Sequence, residues 1–579
     1  MESRNANSIA SSIKELLARF ETKILCFESK LIQNITFHTS FALIILIASI
    51  FIISNIGFIL KIGIQNIYIC VALIISLFVL MHKNTFKKES FFVFTLVLII
   101  SLLAAKLLFD HSWDGRSYHQ IAIYYLANGW NPIYEKMQDL SNLQNFLSHE
   151  IWIEHYLKLS EITAANIYAF TNDIESGKAI NYILAFASLL YSISVLSKNI
   201  DIFSAILLSI PLAFSPVALM QISTYYVDGL LSSALLLIFL SIIGIESSVE
   251  SRKENKKQYI IFIFSMLFAS SIKLSGLGYS LFIGIMYLAY KIIFAKSPKS
   301  IFISGVIIAL LITLTNINPL ITNMLNGKHA GYPLLGKDKI DIITPNEPIN
   351  FHELKRHEKL IISLFSKTQN TISTPSTLKI PFFKSKDEYM GDPDTRVAGF
   401  GPYFSGILIL CFFMFLLHYK RLLRSPFVLS LILLCGSVYI NPESWWARYA
   451  PQLWLLPFIF VVFSYRFKPR FFSSYLRIFI IILLYLNLNY VFKNAKNGAL
   501  NFTTGIEKYF QTLPKNMYLY FEDSMEKSFL IKLNKRGFET KLIEKEEFLK
   551  LENLNWQKMQ FSISKIYFAP KIKEGENND

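Results

Sequence analysis

The sequence predicts an all-α polytopic membrane protein with about 13 transmembrane helices, helices in its outer loops and a small C-terminal α/β domain. Of 579 residues, 53% are hydrophobic and only 17% are charged, and the mean hydropathy is +0.41. Apolar residues are gathered in runs close to the roughly 20 residues that a helix needs to cross a bilayer. Basic residues are gathered in short clusters between these runs, which is typical of the cytoplasmic loops of membrane proteins.

The basic charge does not indicate a nucleic-acid partner. The formal net charge is +16, but the lysines and arginines are spread along the chain instead of being concentrated on one domain. The four cysteines do not indicate disulfides either. Cys26 precedes the first apolar run, and Cys70, Cys411 and Cys435 lie within such runs, so no exported loop contains a pair.

Residues 1–37 are predicted to form a cytoplasmic amphipathic segment. They are largely polar and lack the apolar core of a cleavable signal peptide. Their apolar residues recur at helical spacing among lysines and arginines, which is typical of a helix that lies on the membrane surface. These apolar residues are Ile9, Ile13, Leu16, Leu17, Phe20, Ile24 and Leu31.

Thirteen apolar runs are predicted to span the membrane. They cover residues 38–60, 66–81, 91–109, 179–197, 202–220, 228–245, 259–272, 274–294, 301–320, 402–418, 426–440, 450–465 and 472–492. Two of them, within residues 38–90, precede a membrane module over residues 91–492. The apolar run from Tyr259 to Phe294 is too long for one crossing and is interrupted by Lys273-Leu-Ser-Gly276, so we expect a hairpin there.

The connections between the runs predict the orientation of the chain. The basic clusters all fall on the side of the N-terminus, and the short connections on the opposite side contain only Lys61, Lys273 and Arg448. The clusters are Lys83, Lys87 and Lys88; Lys198; Arg252, Lys253, Lys256 and Lys257; Lys296 and Lys299; Lys420, Arg421 and Arg424; and Arg466, Lys468 and Arg470. The positive-inside rule therefore places the N-terminus in the cytoplasm, and an odd number of spans places the C-terminus in the periplasm.

Three larger segments then lie on the outer face. Residues 110–178 are predicted to contain two surface helices, over Ile121–Leu126 and Ile151–Tyr168. Residues 321–401 are rich in Gly, Pro, Asn and Thr, and a long segment of this kind is usually functional or disordered. Residues 493–579 predict a small periplasmic α/β domain with strands at 517–521, 540–543 and 565–569 and a helix at 525–535.

Ionisable residues are concentrated at the outer ends of the predicted spans. They are Asp110, Asp114, Arg116, His119, Asp228, Lys273, Lys328, His329, Arg396, Glu443 and Arg448. A charge close to hydrocarbon is costly and usually faces a cavity, a partner or a substrate. Carboxylates combined with several cations suit a site that handles a phosphate-bearing substrate and a proton transfer.

Each of these residues also has a structural interpretation. Asp114 and Asp228 each precede a predicted helix, where Asp is a favoured N-cap. Lys273 and Arg448 can extend to the membrane interface, and His329 can support its loop. Trp445, Trp446, Tyr449 and Trp454 fit an aromatic belt.

Several short motifs resemble the GT-C superfamily of integral membrane glycosyltransferases. Asp114-Gly-Arg-Ser-Tyr118 is similar to the acidic motif of the first outer loop, commonly Asp-Glu-x-x-Tyr or Phe, with Gly115 in place of the second acid. The other similar segments are Tyr226-Val-Asp228, Lys273-Leu-Ser-Gly276, Asn318-Pro-Leu-Ile-Thr-Asn323, Gly331-Tyr-Pro333 and Trp446-Ala-Arg-Tyr449. The resemblance covers about residues 91–492.

The resemblance implies transfer of a sugar, with inversion, from a polyprenyl-phosphate-linked donor to a glycan, lipid or protein acceptor at the outer face of a bacterial inner membrane. Asp114 would then be the general base and Asp228 would position a substrate. Lys273, Arg396 and Arg448 would neutralise the leaving phosphate. Arg116, Tyr118, His119, His329 and Tyr449 would bind the substrates, and membrane lipids would surround the helices.

No cofactor is predicted. Some members of the superfamily coordinate a divalent metal with a pair of acids, and Gly115 removes one of them here. Asp110 can replace it only if it has left the preceding helix, so no metal is predicted. Two other functions stay open: an O-antigen polymerase or ligase, and a polysaccharide or lipid transporter. Transporters often bind their substrates near the bilayer midplane, whereas the charged residues here lie at the ends of the spans.

Overall fold

The computed structural model describes residues 2–81, 88–137, 149–247, 252–294, 298–369, 374–425, 427–465, 471–521, 528–543, 545–550, 557–561 and 564–570. Its first helices are α1 (Glu2–Ile59), α2 (Asn66–Met81), α3 (Lys88–Leu107), α4 (Gln120–Ala127), α5 (Glu150–His155), α6 (Leu159–Thr171), α7 (Ala179–Leu196), α8 (Ile202–Ala213), α9 (Pro216–Gln221) and α10 (Asp228–Ser247). The next are α11 (Arg252–Ile272), α12 (Leu274–Ile293), α13 (Lys299–Thr315), α14 (Thr322–Leu325), α15 (Arg356–Phe365), α16 (Phe404–Leu422), α17 (Phe427–Ile440), α18 (Leu456–Ser464) and α19 (Phe471–Thr512). The chain ends with β1 (Asn516–Phe521), α20 (Phe529–Lys535), β2 (Glu539–Leu542), α21 (Lys545–Leu549), β3 (Gln557–Phe561) and β4 (Ser564–Pro570).

The helices confirm a polytopic membrane fold. Within the described ranges, seven helices are long and apolar enough to cross a membrane, or eight if α13 and the segment Ile317–Leu325, which are bent by 80°, form one span. Four shorter apolar helices accompany them: Asn66–Met81, Ile202–Ala213, Phe427–Ile440 and Pro451–Ser464. Each predicted span overlaps a helix, but the span at 202–220 is divided into α8 and α9, and the span at 301–320 is broken after Thr315. The total of 13 crossings stays a prediction.

Helix α10 lies at the centre of the bundle. In the apolar stretch of α10, 94% of the residues are buried inside the protein, compared with 28% of the residues in the apolar stretch of α3. It packs against α7, α9 and α11, and burial on all sides explains why it is apolar around its whole circumference. Because Asp228 is its first residue, this packing holds that carboxylate at the centre of one end of the bundle.

The N-terminal boundary differs from the predicted one. Helix α1 is continuous from Glu2 to Ile59, so the boundary at residue 37 falls inside a helix. The sequence contains no proline in this stretch and no glycine before Gly57, so nothing in it breaks the helix. The location of residues 1–37 on the cytoplasmic surface stays a prediction.

The interruption at Lys273 is confirmed. Lys273 has an extended backbone, with φ −155° and ψ 152°, and it separates α11 from α12. The two helices pack against each other as a hairpin. Gly276 allows this close packing, because a Cβ there would lie 2.1 Å from the Ala269 carbonyl oxygen.

Two outer segments contain structure that the sequence did not predict. The helix expected over Ile151–Tyr168 is divided into α5 and α6, because Tyr156 adopts an extended backbone. The segment 321–401 contains α15, whose Ser363 hydroxyl donates to the Trp445 carbonyl at 2.6 Å. This contact fastens the segment to the end of the membrane bundle.

The C-terminal domain is a four-stranded sheet in the order β2-β1-β4-β3. β1 pairs parallel with β2 and antiparallel with β4, and β3 pairs antiparallel with β4. The three predicted strands match β1, β2 and β4, whereas β3 and α21 were not predicted. Residues 525–527 of the predicted helix lie outside the described residues.

The boundary at residue 493 needs correction. Helix α19 continues through that position to Thr512, and Ile506 and Phe510 are buried against the sheet domain. The amphipathic end of α19 therefore belongs to the domain core, and the sheet begins at Asn516.

The orientation of the chain is a testable prediction. Lys83, Lys87, Lys296, Arg466, Lys468 and Arg470, which contributed to it, lie outside the described residues. Alkaline phosphatase fused after the last residue should be active, because the positive-inside rule places this end in the periplasm. Green fluorescent protein fused there should be dark. The opposite pattern would contradict an odd number of spans.

Candidate active site

A cavity of about 600 Å³ opens where the outer segments 110–178 and 321–401 meet the end of the bundle. It is lined by charged and aromatic side chains from both segments, from the start of α10, from Lys273 and from the turn before α18. The lining residues are His111, Trp113, Asp114, Arg116, Tyr118, Trp152, Tyr156, Tyr226, Val227, Asp228, Lys273, Asp341, Ile342, Pro345, Asn346, Asp392, Asp394, Arg396, Trp446, Arg448 and Tyr449.

Asp114 faces this cavity from the first outer segment. It precedes a π-helical turn, Gly115–His119, but its side chain makes no capping hydrogen bond to that turn. Its Oδ2 instead accepts a hydrogen bond from Arg448 Nη1 at 3.2 Å, and Oδ1 has no hydrogen-bond partner in the described part of the chain. The capping interpretation of Asp114 is therefore wrong, and one carboxylate oxygen is available to a substrate.

Asp228 is buried at the inner end of the cavity. Its side chain is 1% exposed and its Oδ1 lies 2.7 Å from Lys273 Nζ. Gln221 Nε2 donates to its Oδ2 at 3.4 Å, while Gln221 Oε1 accepts from the Gly229 amide at 2.7 Å. These contacts fix the carboxylate and direct the ammonium group of Lys273 toward the cavity.

Arg448 joins three carboxylates. Its Nη1 lies 3.2 Å from Asp114 Oδ2 and 3.6 Å from Asp228 Oδ2, and its Nε lies 3.0 Å from Asp394 Oδ1. Burial disfavours the charged form, but Asp394 and the other neighbouring acids raise the pKa of Arg448 above its ordinary value. Because Arg448 is only 7% exposed, it is not an interface anchor.

Aromatic faces surround the Arg448 guanidinium. The ring centroids of Tyr226, Trp446 and Tyr449 lie 4.7, 5.0 and 5.3 Å from its Cζ. Lys273 Nζ likewise lies 4.1 Å from the centroid of Tyr449. The negative faces of these rings attract cations, so Trp446 and Tyr449 serve the site and are not belt residues at the lipid interface.

Arg396 enters the cavity from the second outer segment. Its Nε donates to Asp394 Oδ2 at 2.8 Å and its Nη1 donates to the Asn346 carbonyl at 3.0 Å. Trp446 Nε1 donates to the other Asp394 oxygen at 3.0 Å. Sequence reasoning selected Arg396 but missed Asp394, although both lie in the segment Asp392-Pro-Asp-Thr-Arg396.

Three tyrosines complete the wall around Asp114. Burial raises the pKa of Tyr118, Tyr156 and Tyr226 above the ordinary value, and the nearby Asp114 raises it further in all three cases. Their phenols are therefore neutral and able to donate hydrogen bonds to a substrate oxygen. Sequence analysis selected Tyr118 but not the other two.

Two predicted residues lie outside the cavity. His119 is buried behind Tyr118, where its Nδ1 lies 2.6 Å from Glu161 Oε1, so it supports the wall from behind. His329 is exposed, and its Nδ1 accepts a hydrogen bond from the Gly331 amide at 3.0 Å. It supports its own loop. Arg116 lines the cavity as predicted and donates from Nε to the Ser112 carbonyl at 3.0 Å.

His111 is a cavity residue that sequence reasoning missed. Both ring nitrogens are buried and have no hydrogen-bond partner in the described residues. Burial lowers the pKa of His111 to about 4, although Asp110 opposes this shift. The imidazole is therefore neutral near pH 7 and can accept or donate one hydrogen bond.

Asp110 does not replace the missing second acid. Helix α3 ends at Leu107, so Asp110 lies in the following loop. Its side chain is buried, is not part of the cavity lining and accepts hydrogen bonds from Ser112 and from Gln120 Nε2. Among the residues that the structure describes, no three His, Cys, Asp or Glu side chains are placed to hold a metal ion.

Comparisons with known proteins give a distant likeness of overall shape. No protein-family model matches the sequence, and no curated protein matches it. Two crystal structures of ArnT from Cupriavidus metallidurans are similar. The structure bound to undecaprenyl phosphate has a TM-score of 0.47 at 9% identity and covers 83% of this chain and 98% of its own. The apo structure has a TM-score of 0.46 at 9% identity and covers 83% and 97%.

The buried Asp228–Lys273 pair predicts how the free energy of unfolding changes when one or both of its charges are removed. Lys273→Met leaves a buried carboxylate without its nearest cation, so we expect the free energy of unfolding to fall by about 3 kcal/mol. Asp228→Asn/Lys273→Met should recover part of this loss, because no unpaired charge is left. Thermal unfolding in detergent measures both. Lys367→Met, which removes the partner of the exposed Asp387, is the control and should change little. A double variant no more stable than Lys273→Met would contradict the assigned pairing.

Proposed function

We propose that the protein transfers a sugar from a polyprenyl-phosphate-linked donor to an acceptor hydroxyl at the outer face of a bacterial inner membrane. One observation carries the proposal: a single cavity contains a carboxylate with an available oxygen, Asp114, beside several cations, among them Lys273, Arg396 and Arg448. The carboxylate supplies a base for the acceptor, and the cations supply a binding site for a phosphate. A direct displacement of the phosphate by an acceptor hydroxyl is accelerated by both.

The cations have hydrogen-bond donors that are available to a phosphate. An ammonium group has three N–H donors and a guanidinium has five, whereas among the described residues Lys273 has one carboxylate partner, Asp228. Arg448 contacts its carboxylates through Nη1 and Nε, so its Nη2 can bind a phosphate oxygen. Charge-assisted hydrogen bonds of this type are about twice as strong as neutral ones.

A small apolar cavity adjoins the site at Lys273 and Tyr156. It is lined by His155, Tyr156, Leu157, Lys273, Leu274, Pro319, Leu320, Ala330, Gly331, Tyr332, Pro333 and Leu334. It lies beside the 80° bend between α13 and the segment Ile317–Leu325. With a volume of about 20 Å³, this cavity does not enclose a polyprenyl chain, but it provides apolar surface beside Lys273 against which the first isoprene unit would lie.

The proposed reaction is a direct displacement. The acceptor oxygen forms a bond to the anomeric carbon, and the bond from that carbon to the phosphate oxygen breaks. The acceptor proton goes to Asp114, and the released electron pair stays on the phosphate, whose charge Arg448 and Lys273 stabilise. General base catalysis contributes roughly 100- to 10,000-fold, and placed positive charge usually contributes most.

Arg448 has a second role in this scheme. Since it contacts Asp114 and Asp228 through the same nitrogen, it holds the proposed base and the Asp228–Lys273 pair in one arrangement. The neutral phenols of Tyr118, Tyr156 and Tyr226 would donate hydrogen bonds to sugar oxygens.

Asp114→Asn tests the assignment in cells. Mass spectrometry of surface glycans and lipid-linked sugars should show that cells without the protein lack one sugar and accumulate its polyprenyl-phosphate form. The wild-type gene should restore the sugar. Asp114→Asn should be expressed and inserted normally but lower product formation at least roughly a hundredfold, because the amide keeps the shape of the side chain and cannot accept the proton.

Asp201→Asn is the matched control. Asp201 is a true cap, accepting a hydrogen bond from the Ser204 amide at 2.9 Å, and Asn caps about as well as Asp. Activity should therefore be retained. Accumulation of a complete lipid-linked polymer in cells without the protein would indicate a ligase instead. Substantial turnover by Asp114→Asn would remove Asp114 as the base and leave Asp228 as the candidate.

A further inference from the structure

The loop that leads to Asp114 is held by groups far away in the sequence. The Leu108 carbonyl accepts a hydrogen bond from Lys178 Nζ. The Phe109 amide donates to Thr503 Oγ1 on α19 at 2.9 Å, and the Asp110 amide donates to Glu175 Oε2 at 3.1 Å. Three consecutive residues are thus fixed by side chains from outside the loop.

Glu175 connects this loop to the C-terminal domain. Its Oε2 lies 2.6 Å from Lys178 Nζ, and its Oε1 lies 2.8 Å from Lys532 Nζ. Lys532 belongs to α20 of the sheet domain and is only 6% exposed. A lysine is rarely buried to this extent unless it is paired. The sheet domain therefore places one buried cation against the acid that holds the Asp110 amide.

Aromatic contacts reinforce this connection. Lys532 Nζ lies 5.3 Å from the ring centroid of Phe109, and the Phe109 ring packs against Phe510 of α19 with centroids 6.0 Å apart. Phe502, the residue directly before Thr503 on α19, lies beneath the Arg116 guanidinium, with its ring centroid 5.0 Å from the guanidinium carbon. Helix α19 and the sheet domain thus contact the loop both before and after Asp114.

We propose that the C-terminal domain positions Asp114, with Lys532 as a positioning residue that acts through Glu175 and the Asp110 amide. The C-terminal domain then helps to hold the active-site loop in place. Proton transfer requires the base to lie within hydrogen-bond reach of the acceptor, and a displacement of about 1 Å at a reacting group can cost on the order of a hundredfold in rate. The loop has to be rigid for that reason.

Two readouts test this inference, because the kinetic one rests on the proposed function. The first is hydrogen exchange of the amides in residues 108–119 in the full-length protein in lipid nanodiscs. The Phe109 and Asp110 amides report directly on the two bonds that hold the loop. The second is the transfer reaction, with kcat and KM measured separately.

Lys532→Met should accelerate exchange in residues 108–119 and lower kcat roughly ten- to hundredfold with little change in KM. Lys532→Arg keeps the cation and should restore slow exchange and most of kcat. Lys541→Met is the control on the same domain, since Lys541 is exposed and its nearest acid, Glu547, is 3.8 Å away. It should match the wild type in both readouts.

Thr503→Val keeps the inference testable if Lys532→Met unfolds the sheet domain. It removes the acceptor of the Phe109 amide on α19 and leaves the sheet untouched. Faster loop exchange with a lower kcat in Thr503→Val would support the inference. Unchanged loop exchange in both Lys532→Met and Thr503→Val would overturn it. If the wild type transferred no sugar, the proposed function would fail, while the exchange data would still decide whether the domain holds the loop.

Discussion

The architecture of the site depends on the contact of Arg448 with Asp114, Asp228 and Asp394. These acids come from the first outer segment, from the first residue of α10 and from the second outer segment, so one guanidinium joins three parts of the chain. Carboxylates placed together repel one another unless a cation lies between them. Desolvating these charges is costly, and removing one partner of a buried set costs more than the set contributes. Arg448 therefore stabilises the arrangement of the three acids around the cavity.

The sequence predicted the parts whose signals are local. Long apolar runs located the helices, and the interruption at Lys273 located the hairpin of α11 and α12, because a charge within such a run has few structural explanations. The same reasoning selected Asp114, Asp228, Lys273 and Arg448, which the structure brings into one cavity. The capping interpretation of Asp114 was decided only by the structure, since Asp is equally suited to both roles.

Other parts depend on contacts between distant segments. Asp394, Tyr156 and Tyr226 are ordinary residues of a loop or of a span end, and only the folded arrangement around Arg448 distinguishes them. His329 was selected wrongly, because nothing in the sequence shows on which side of its loop the ring lies. Likewise, the ion pair of Lys532 and Glu175 joins a loop of the membrane module to the C-terminal domain, which is distant in the sequence. The spacing of residues along the sequence does not predict such a pairing.

In the proposed reaction, Arg448 and Lys273 bind the phosphate of a polyprenyl donor. Native mass spectrometry can measure binding of undecaprenyl phosphate and of undecaprenol to the purified protein. We expect the wild type to prefer the phosphate and Arg448→Met to bind it about tenfold or more weakly, because charge-assisted hydrogen bonds are lost. Arg536→Met, whose arginine pairs with the exposed Glu507, should bind like the wild type. Equal binding of the phosphate and the alcohol, or unchanged binding by Arg448→Met, would contradict the claim.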